Sequence, residues 1–126
     1  MKTHELIQRY TAGERNFQGV DLLNAHLSGA VLRNINLSQA KLSGAKLWAA
    51  DLTGALLQGA DLSGADLTGA TLIQTDFRAA NLSGASLLRA NLRGAKLNGA
   101  NLQDADLGNP DLLVDAELIS AIGLRR

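Results

Sequence analysis

Leucine or phenylalanine occupies every fifth position of this chain from residue 17 to residue 107. Of these 19 positions, 17 hold leucine and only Phe17 and Phe77 differ. Two residues upstream, the 18 positions from 20 to 105 hold 15 alanines, and the exceptions are Val20, Ile35 and Thr75. The repeating unit is therefore Ala-x-Leu-x-x, in which the alanine and the leucine stand two residues apart.

Neither regular periodicity accommodates a spacing of five. On an α-helix a five-residue step advances about 140° around the axis, so the leucines would spread over the whole surface. On a straight strand an odd step would send successive leucines to opposite faces. A chain that bends once in each pentapeptide keeps both apolar residues inside. The pattern therefore predicts an all-β solenoid, which coils around its own core.

The charged residues indicate how many pentapeptides complete one coil. Between residues 17 and 109, charges 20 apart form four opposite-sign pairs and no like-sign pair, namely Asp21/Lys41, Lys41/Asp61, Lys46/Asp66 and Asp76/Lys96. At a spacing of 15, like-sign pairs outnumber the opposite-sign ones. Because opposite charges attract across neighbouring strands about 4.8 Å apart, this pattern favours four pentapeptides per coil.

The unit Ala-x-Leu-x-x, with Asp or Asn before many leucines, resembles the consensus of the pentapeptide repeat family over residues 15–109. The resemblance implies a right-handed quadrilateral β-helix with one pentapeptide per side, which makes about 4.75 coils over these residues. The segment from Leu6 to Phe17 is also similar to the start of small cyanobacterial members, which implies a bacterial source.

The remaining positions of the unit are typical of turns. Asp or Asn precedes the leucine at 11 of the 19 sites, where its side chain is expected to accept a hydrogen bond from a nearby backbone amide. Glycine stands two places after the leucine in ten units, where a tight corner favours positive φ. Thr75 replaces an inward alanine, so its hydroxyl is expected to donate to a backbone carbonyl.

The two ends of the chain depart from the repeat, as an open coil requires. Residues 1–14 are predicted to contain a capping helix over 3–12, with Thr3 as the N-cap, Gly13 beyond its end, and Leu6, Ile7 and Tyr10 on one face. Residues 110–126 are predicted to form a C-terminal capping segment. Asn109-Pro110 favours a helix ending before Gly123. The alternative is a further irregular coil through Leu112 and residues 116–118.

Targeting signals give a simple prediction of location. The first residues lead into no apolar run of signal-peptide length, and no stretch approaches 18 apolar residues, so the predicted location is cytoplasmic, with no membrane association. The chain has no cysteine, which excludes disulfides and thiolate metal sites.

Motifs for catalysis are absent from the sequence. The regular glycines imitate the start of a phosphate-binding loop, but none is followed by the lysine and the Ser or Thr that such a loop needs. His26 and Ser28 stand two residues apart, which does not make a catalytic triad. Evenly spaced aspartates are interpreted as turn residues and not as metal ligands. We therefore expect no enzyme activity, no catalytic or metal site and no cofactor.

Outward apolar residues favour a protein-interaction or scaffold module of unknown partner. With four sides per coil, Trp48 and Leu88 fall in one outward column two coils apart, Ile73 falls on the adjoining side, and Arg89 follows Leu88. These four residues form the predicted partner patch. Pairing of the capping helices or of the Trp48 region would give a homodimer, which is a second prediction.

Some members of the resembled family mimic DNA and act on type II topoisomerases, which is the alternative function. Mimicry needs a continuous negative field in place of phosphate. Residues 17–109 hold seven acidic and seven basic residues, so their net charge of zero disfavours this alternative. Direct nucleic-acid binding is also disfavoured, because no side is consistently basic and aromatic residues are few.

Overall fold

Parallel β-bridges join residues that are 20 positions apart along the chain. The computed structural model describes residues 1–108 and residue 116. Fifteen bridges run in unbroken succession from Asn16–Asn36 to Ser86–Asp106, and each is a single bridging residue pair. The 20-residue period predicted from the charges is therefore confirmed, and the chain forms a four-sided coil.

The coils follow directly from this register. Four complete coils and part of a fifth are described, over residues 15–34, 35–54, 55–74, 75–94 and 95–108. Each coil has four sides. In the first coil the first side is centred on Phe17, the second on Leu22, the third on Leu27 and the fourth on Leu32. Every twentieth residue after these lies on the same side.

Backbone hydrogen bonds between coils replace the ladders of ordinary sheets. The Leu42 N–H donates to the carbonyl of Asp61 in the next coil at 2.7 Å, and the Asp61 N–H donates back to Ala40 at 3.0 Å. At the corner, the Ala45 N–H donates to the Leu42 carbonyl three residues earlier at 3.0 Å. Each pentapeptide thus ends in a β-turn, and stacking satisfies its backbone groups.

The leucine column forms the core. From Phe17 to Leu102 all 18 of its residues are buried, and Leu107 in the fifth coil is half-buried. The alanine column is buried from Ile35 to Ala100 and half-buried at both ends. Burial of every fifth leucine is the main stabilising contribution, because each removes a large apolar side chain from water.

Every corner residue has a left-handed backbone conformation. At all 18 positions from 19 to 104 that lie two places after the leucine, φ is positive, between +55° and +73°. Positive φ at the third residue of a turn is the mark of type II geometry, which favours glycine. The prediction for the ten glycines is confirmed, but eight corners use other residues: Asn24, Asn34, Gln39, Ala49, Gln74, Ala79, Arg89 and Asp104.

The short polar residues before the leucines bind the turn that follows. In all 11 cases a side-chain oxygen accepts the backbone N–H two residues later at 3.0–3.2 Å, which confirms the prediction. Thr75 is fully buried, and its hydroxyl donates to the Leu52 carbonyl at 2.8 Å, as predicted.

The four predicted charge pairs are neighbours in the coil but do not form ion pairs. All four are bridge partners, from Asp21–Lys41 to Asp76–Lys96. Among the residues described, the ion pairs of the coil are Arg33–Asp51 at 3.7 Å and Arg78–Asp76 at 2.7 Å. The aspartates accept from their own turns, and this orientation keeps them from the stacked lysines.

Helix α1, at Thr3–Thr11, precedes the first coil. Leu6 is fully buried, and Ile7 and Tyr10 pack partly buried against the core, so the predicted apolar face is confirmed. The prediction of Thr3 as the N-cap is wrong, because Thr3 is the first residue of the helix. Lys2 holds that position in extended conformation without a side-chain cap, and the Leu6 N–H donates to its carbonyl at 3.1 Å.

The predicted C-terminal helix and its alternative, a further coil, both fall outside the described residues. Ala116 alone is described there, and it packs half-buried against the core.

Candidate protein-interaction surface

The predicted partner patch occupies the third side of the coil and the neighbouring wall. Trp48, in the second coil, is 53% exposed, and Leu88, two coils further along, is half-buried. Stacking at about 4.8 Å per coil separates their backbones by about 10 Å. Thr68 stands between them, with its hydroxyl 2.9 Å from that of Ser86. The two apolar side chains therefore share one column without being direct neighbours.

The other two patch residues lie further from Trp48. Ile73 is half-buried on the fourth side, where Thr71 and Leu72 separate it from the corner of the third side. Arg89 is exposed at a corner with φ of +57°. All four predicted residues thus lie on the outer wall of the coil, but Ile73 is at the far end of its side.

In the described coils, three exposed apolar residues were not predicted from the sequence. Val31 is 59% exposed, Leu23 is 57% exposed and Leu56 is 41% exposed. The register alone identifies them, because Val31 and Leu56 stand immediately before a core leucine and Leu23 immediately after one. Leu23 and Val31 lie in the first coil, on the two sides that adjoin the third.

The third side near the chain start combines apolar and basic groups. The Gly29 N–H donates to the Trp48 carbonyl at 2.9 Å, and His26 forms a β-bridge with Lys46, so the first two coils are in register here. On this side, the first acidic residue is Asp66 in the third coil. The opening of the third side therefore presents a tryptophan beside basic side chains.

A shallow groove of about 450 Å³ lies at a corner of the first side, lined by Gln39, Gln58, Gly59, Arg78 and Ala79. Asp76 lies next to it, only 5% exposed, and accepts hydrogen bonds from Arg78 at 2.7 Å and from Gln58 at 2.6 Å. Burial raises the pKa of Asp76, but bonds from the side chain and backbone of Arg78 and from Gln58 outweigh burial and lower it overall. This cluster holds neighbouring coils together.

The described residues contain little that suggests reaction chemistry. His26 is exposed on the third side, and no hydrogen bond joins it to Ser28 in the part of the chain that is described. Within residues 1–108 and 116, no three His, Cys, Asp or Glu side chains are grouped closely enough to hold a metal ion. The helix found in these residues is too short and too polar to span a bilayer.

Comparison with known proteins identifies the family. The model of pentapeptide repeats matches residues 16–48, 35–74, 49–84 and 75–109, and these segments together cover most of the chain. The chain belongs to the pentapeptide repeat family. Its members fold as right-handed β-helices, in agreement with the bridges and buried leucines of this chain.

Solved structures of the family are similar along most of this pentapeptide repeat protein. A protein of the Arabidopsis thaliana thylakoid lumen is 37% identical, with a TM-score of 0.75 over 79% of this chain and 69% of its own. Rfr23 of the cyanobacterium Cyanothece 51142 is 27% identical, with a TM-score of 0.76 over 95% of this chain and 93% of its own.

A third structure, from Nostoc Pcc 7120, is 37% identical, with a TM-score of 0.50 over 92% of this chain and 94% of its own. The relatives thus include cyanobacterial pentapeptide repeat proteins. No curated protein sequence matches the chain significantly.

Proposed function

We propose that this pentapeptide repeat protein is a non-enzymatic interaction module that binds a protein partner through its third side. The observation that carries the proposal is the 53% exposure of Trp48, in a fold that buries the central leucines of all the complete coils. Large aromatic residues on rigid surfaces are frequent anchors of protein interfaces. Stacked coils supply that rigidity, because Trp48 stands on backbone bonded to the coils on both sides.

Two further parts of the proposal concern the chain start and the location. We propose that α1 serves as a cap, since it places Leu6 over the open end of the core. We also propose a cytoplasmic location in a bacterial cell. The thylakoid-lumen origin of one relative makes fractionation of the native cell the appropriate check.

The experiment is an affinity pull-down from the native cell with three forms of the protein. The double variant Trp48→Ser/Leu88→Ser removes the apolar column of the third side. Leu56→Ser is the matched control, because Leu56 is 41% exposed on the first side. We expect a partner that binds the native protein and Leu56→Ser but is lost with the double variant. An unchanged partner set would reject the third side as the interface.

The variants must keep the fold for this comparison to hold. Because Trp48 projects from the outer wall, Trp48→Ser is expected to change the unfolding free energy by less than about 1 kcal/mol. Unfolding of this variant, measured by circular dichroism, would place Trp48 in the core and contradict the proposal.

DNA mimicry is not proposed for this chain. The balanced charge between residues 17 and 109 offers no continuous negative surface, and the ion pair of Arg33 with Asp51 neutralises part of what is present. Micromolar protein is expected to leave the supercoiling activity of DNA gyrase unchanged.

A further inference from the structure

The starting edge of the first coil lacks the neighbour that every later coil has. In later coils, the residue before each leucine donates its N–H to a carbonyl of the preceding coil. The carbonyls of that residue and of the residue after the leucine accept hydrogen bonds from N–H groups of the preceding coil. Helix α1 replaces part of this missing coil. The Met1 amino group donates to the Asp21 carbonyl at 2.8 Å, and the Tyr10 hydroxyl donates to the Arg33 carbonyl at 2.7 Å.

On the third side the edge stays open. We call residues 26–29 the third-side rim. Among the described residues, no hydrogen bond reaches the carbonyls of His26 and Ser28 or the N–H of His26. The hydrogen bonds of Met1 and Tyr10 with the first coil lie on its second and fourth sides, and His26 and Ser28 are exposed. The rim therefore offers two acceptors and one donor in the geometry of a strand edge.

The second coil shows what would fit this edge. There, Leu27 and Gly29 donate to the carbonyls of Lys46 and Trp48 at 2.8 and 2.9 Å, and Ala25 accepts from the Lys46 N–H at 2.9 Å. A parallel extended segment below the rim would repeat these bonds. Let j be the residue of the segment that lies in the column of Leu27. The N–H groups of residues j and j+2 would donate to the carbonyls of His26 and Ser28, and the carbonyl of residue j−2 would accept from the His26 N–H.

The surroundings select the side chains of such a segment. The exposed Leu23 and Val31 flank the rim, and Trp48 stands on the next strand of the same side. Lys46 and His26 form no ion pair among the described residues, and this side carries no acidic residue in the first two coils. Side chains j−1 and j+1 of such a segment point to the same outer face as His26, Lys46 and Trp48, because side chains alternate along a strand. An acidic residue at j−1, in the column of His26 and Lys46, and an apolar residue at j+1, in the column of Ser28 and Trp48, match this combination of charge and apolar surface.

We infer that the third-side rim binds an extended, acidic peptide segment of a partner protein as an added β-strand. This inference rests on the proposed function and names the kind of segment that the partner supplies. Backbone bonds to His26 and Ser28 give the segment its register. Its apolar side chains at j+1 and j+3 pack beneath the indole of Trp48, which extends over the small Ser28, and beside Val31.

The test uses the intrinsic fluorescence of Trp48, the single tryptophan of the chain. The probe is an acetylated and amidated seven-residue peptide with aspartate at j−3 and j−1, valine at j+1 and j+3, and alanine at the positions between them. We expect a saturable blue shift, because the bound strand shields the indole from water. N-methylation of the two donating amides is expected to weaken binding about tenfold, since two hydrogen bonds are lost. A lysine–valine peptide of the same length is expected to bind more weakly than the acidic one.

Variants then locate the bound probe. His26→Pro removes an N–H that has no partner in the described fold and is expected to weaken binding, whereas the control Lys96→Glu, on the first side, is expected to leave it unchanged. If His26→Pro does not fold, two other measurements replace it. Lys46→Glu is expected to bind the acidic probe more weakly, and the native protein is expected to bind the N-methylated peptide more weakly. Absence of a shift at millimolar probe, or equal binding of the N-methylated peptide, would overturn the inference.

Two other outcomes separate this inference from the proposed function. A partner captured through Trp48 and Leu88, together with a probe that does not bind, would leave the proposed function standing and reject the rim. A dimer in sedimentation velocity that His26→Pro disrupts would assign the rim to a second copy of the chain, which also overturns the inference.

Discussion

At the scale of single residues, the corners carry most of the backbone strain of the coil. Eight corner residues other than glycine adopt positive φ, and this conformation costs an ordinary L-residue about 1–2 kcal/mol. Asparagine and aspartate tolerate it better than alanine, because their side chains hydrogen-bond locally. Ala49 and Ala79 have no such compensation, at φ of +58° and +60°.

Replacement of Ala79 by glycine is therefore expected to stabilise the protein. Relief of the left-handed strain exceeds the added chain entropy of glycine, so Ala79→Gly should raise the unfolding free energy by about 0.5–1 kcal/mol in urea denaturation. Ala80→Gly is the matched control, because Ala80 is buried and lacks positive φ. It should destabilise by about 1 kcal/mol or more. A loss of stability in Ala79→Gly would contradict this account of the corners.

Asp76 makes stability depend on pH. Its folded pKa lies below that of the unfolded chain, so its contribution is fully present above about pH 4 and is lost as the pH falls through the folded pKa. Asp76→Asn keeps the turn acceptor but removes the charge that Arg78 binds. We expect a loss of about 1–3 kcal/mol at pH 6 that shrinks towards pH 2, measured by urea denaturation.

Asp61→Asn is the control for this series, because Asp61 makes the same turn bond at an exposed position. Its effect at pH 6 should be smaller. A difference between native protein and Asp76→Asn that stays constant from pH 6 to pH 2 would show that the charge of Asp76 contributes nothing.

The sequence predicted much at this scale, and physical chemistry explains which part. The eleven turn acceptors and the ten glycine corners were predictable, because both depend on residues at most two positions apart. The cluster of Asp76, Arg78 and Gln58 was not, since Gln58 and Asp76 lie 18 positions apart and meet only when coils stack. The glycine pattern alone also gave no sign that alanine would accept the same corner.

At the scale of elements, α1 packs against the first coil. Leu6 is fully buried and belongs to the same cluster as Phe17 and Leu22. The apolar spacing of α1 predicted this contact. The choice of N-cap failed, because Thr3 has the right chemistry but Lys2 already provides the turn with its carbonyl.

Removal of the Leu6 side chain is expected to loosen the start of the coil. Leu6→Ser leaves a cavity and a buried hydroxyl, so the unfolding free energy should fall by about 3–5 kcal/mol. Hydrogen exchange should speed up first at the first-coil amides that bond to the second coil, such as those of Leu22 and Leu27. Glu5→Ser, at an exposed position of the same helix, should change neither quantity appreciably. Uniform loss of protection along the chain would contradict a local role for α1.

At the scale of the whole molecule, each coil contacts only its neighbours, and surface features repeat with the coil. The sequence predicted the inward and outward positions, because burial of leucines at an odd spacing requires one bend in each pentapeptide, and the charge pairs 20 residues apart indicated four sides per coil. It did not identify Leu23 and Val31 as flanks of an open edge. The open edge depends on which carbonyls of the first coil accept hydrogen bonds from the chain start. Met1 and Tyr10 donate to residues about 20 positions away, and the local sequence does not predict such contacts.

The most direct measurement of the central claim is a cross-link between coils in this cysteine-free chain. Ser43 and Ser63 are 20 residues apart on the second side, with 3.1 Å between their hydroxyl oxygens. The variant Ser43→Cys/Ser63→Cys is predicted to form an intramolecular disulfide on mild oxidation, because coil spacing suits disulfide geometry. Ser28→Cys/Ser43→Cys, with 15 residues between the positions, is predicted to stay reduced. A disulfide in the second variant but not in the first would contradict a coil of four pentapeptides.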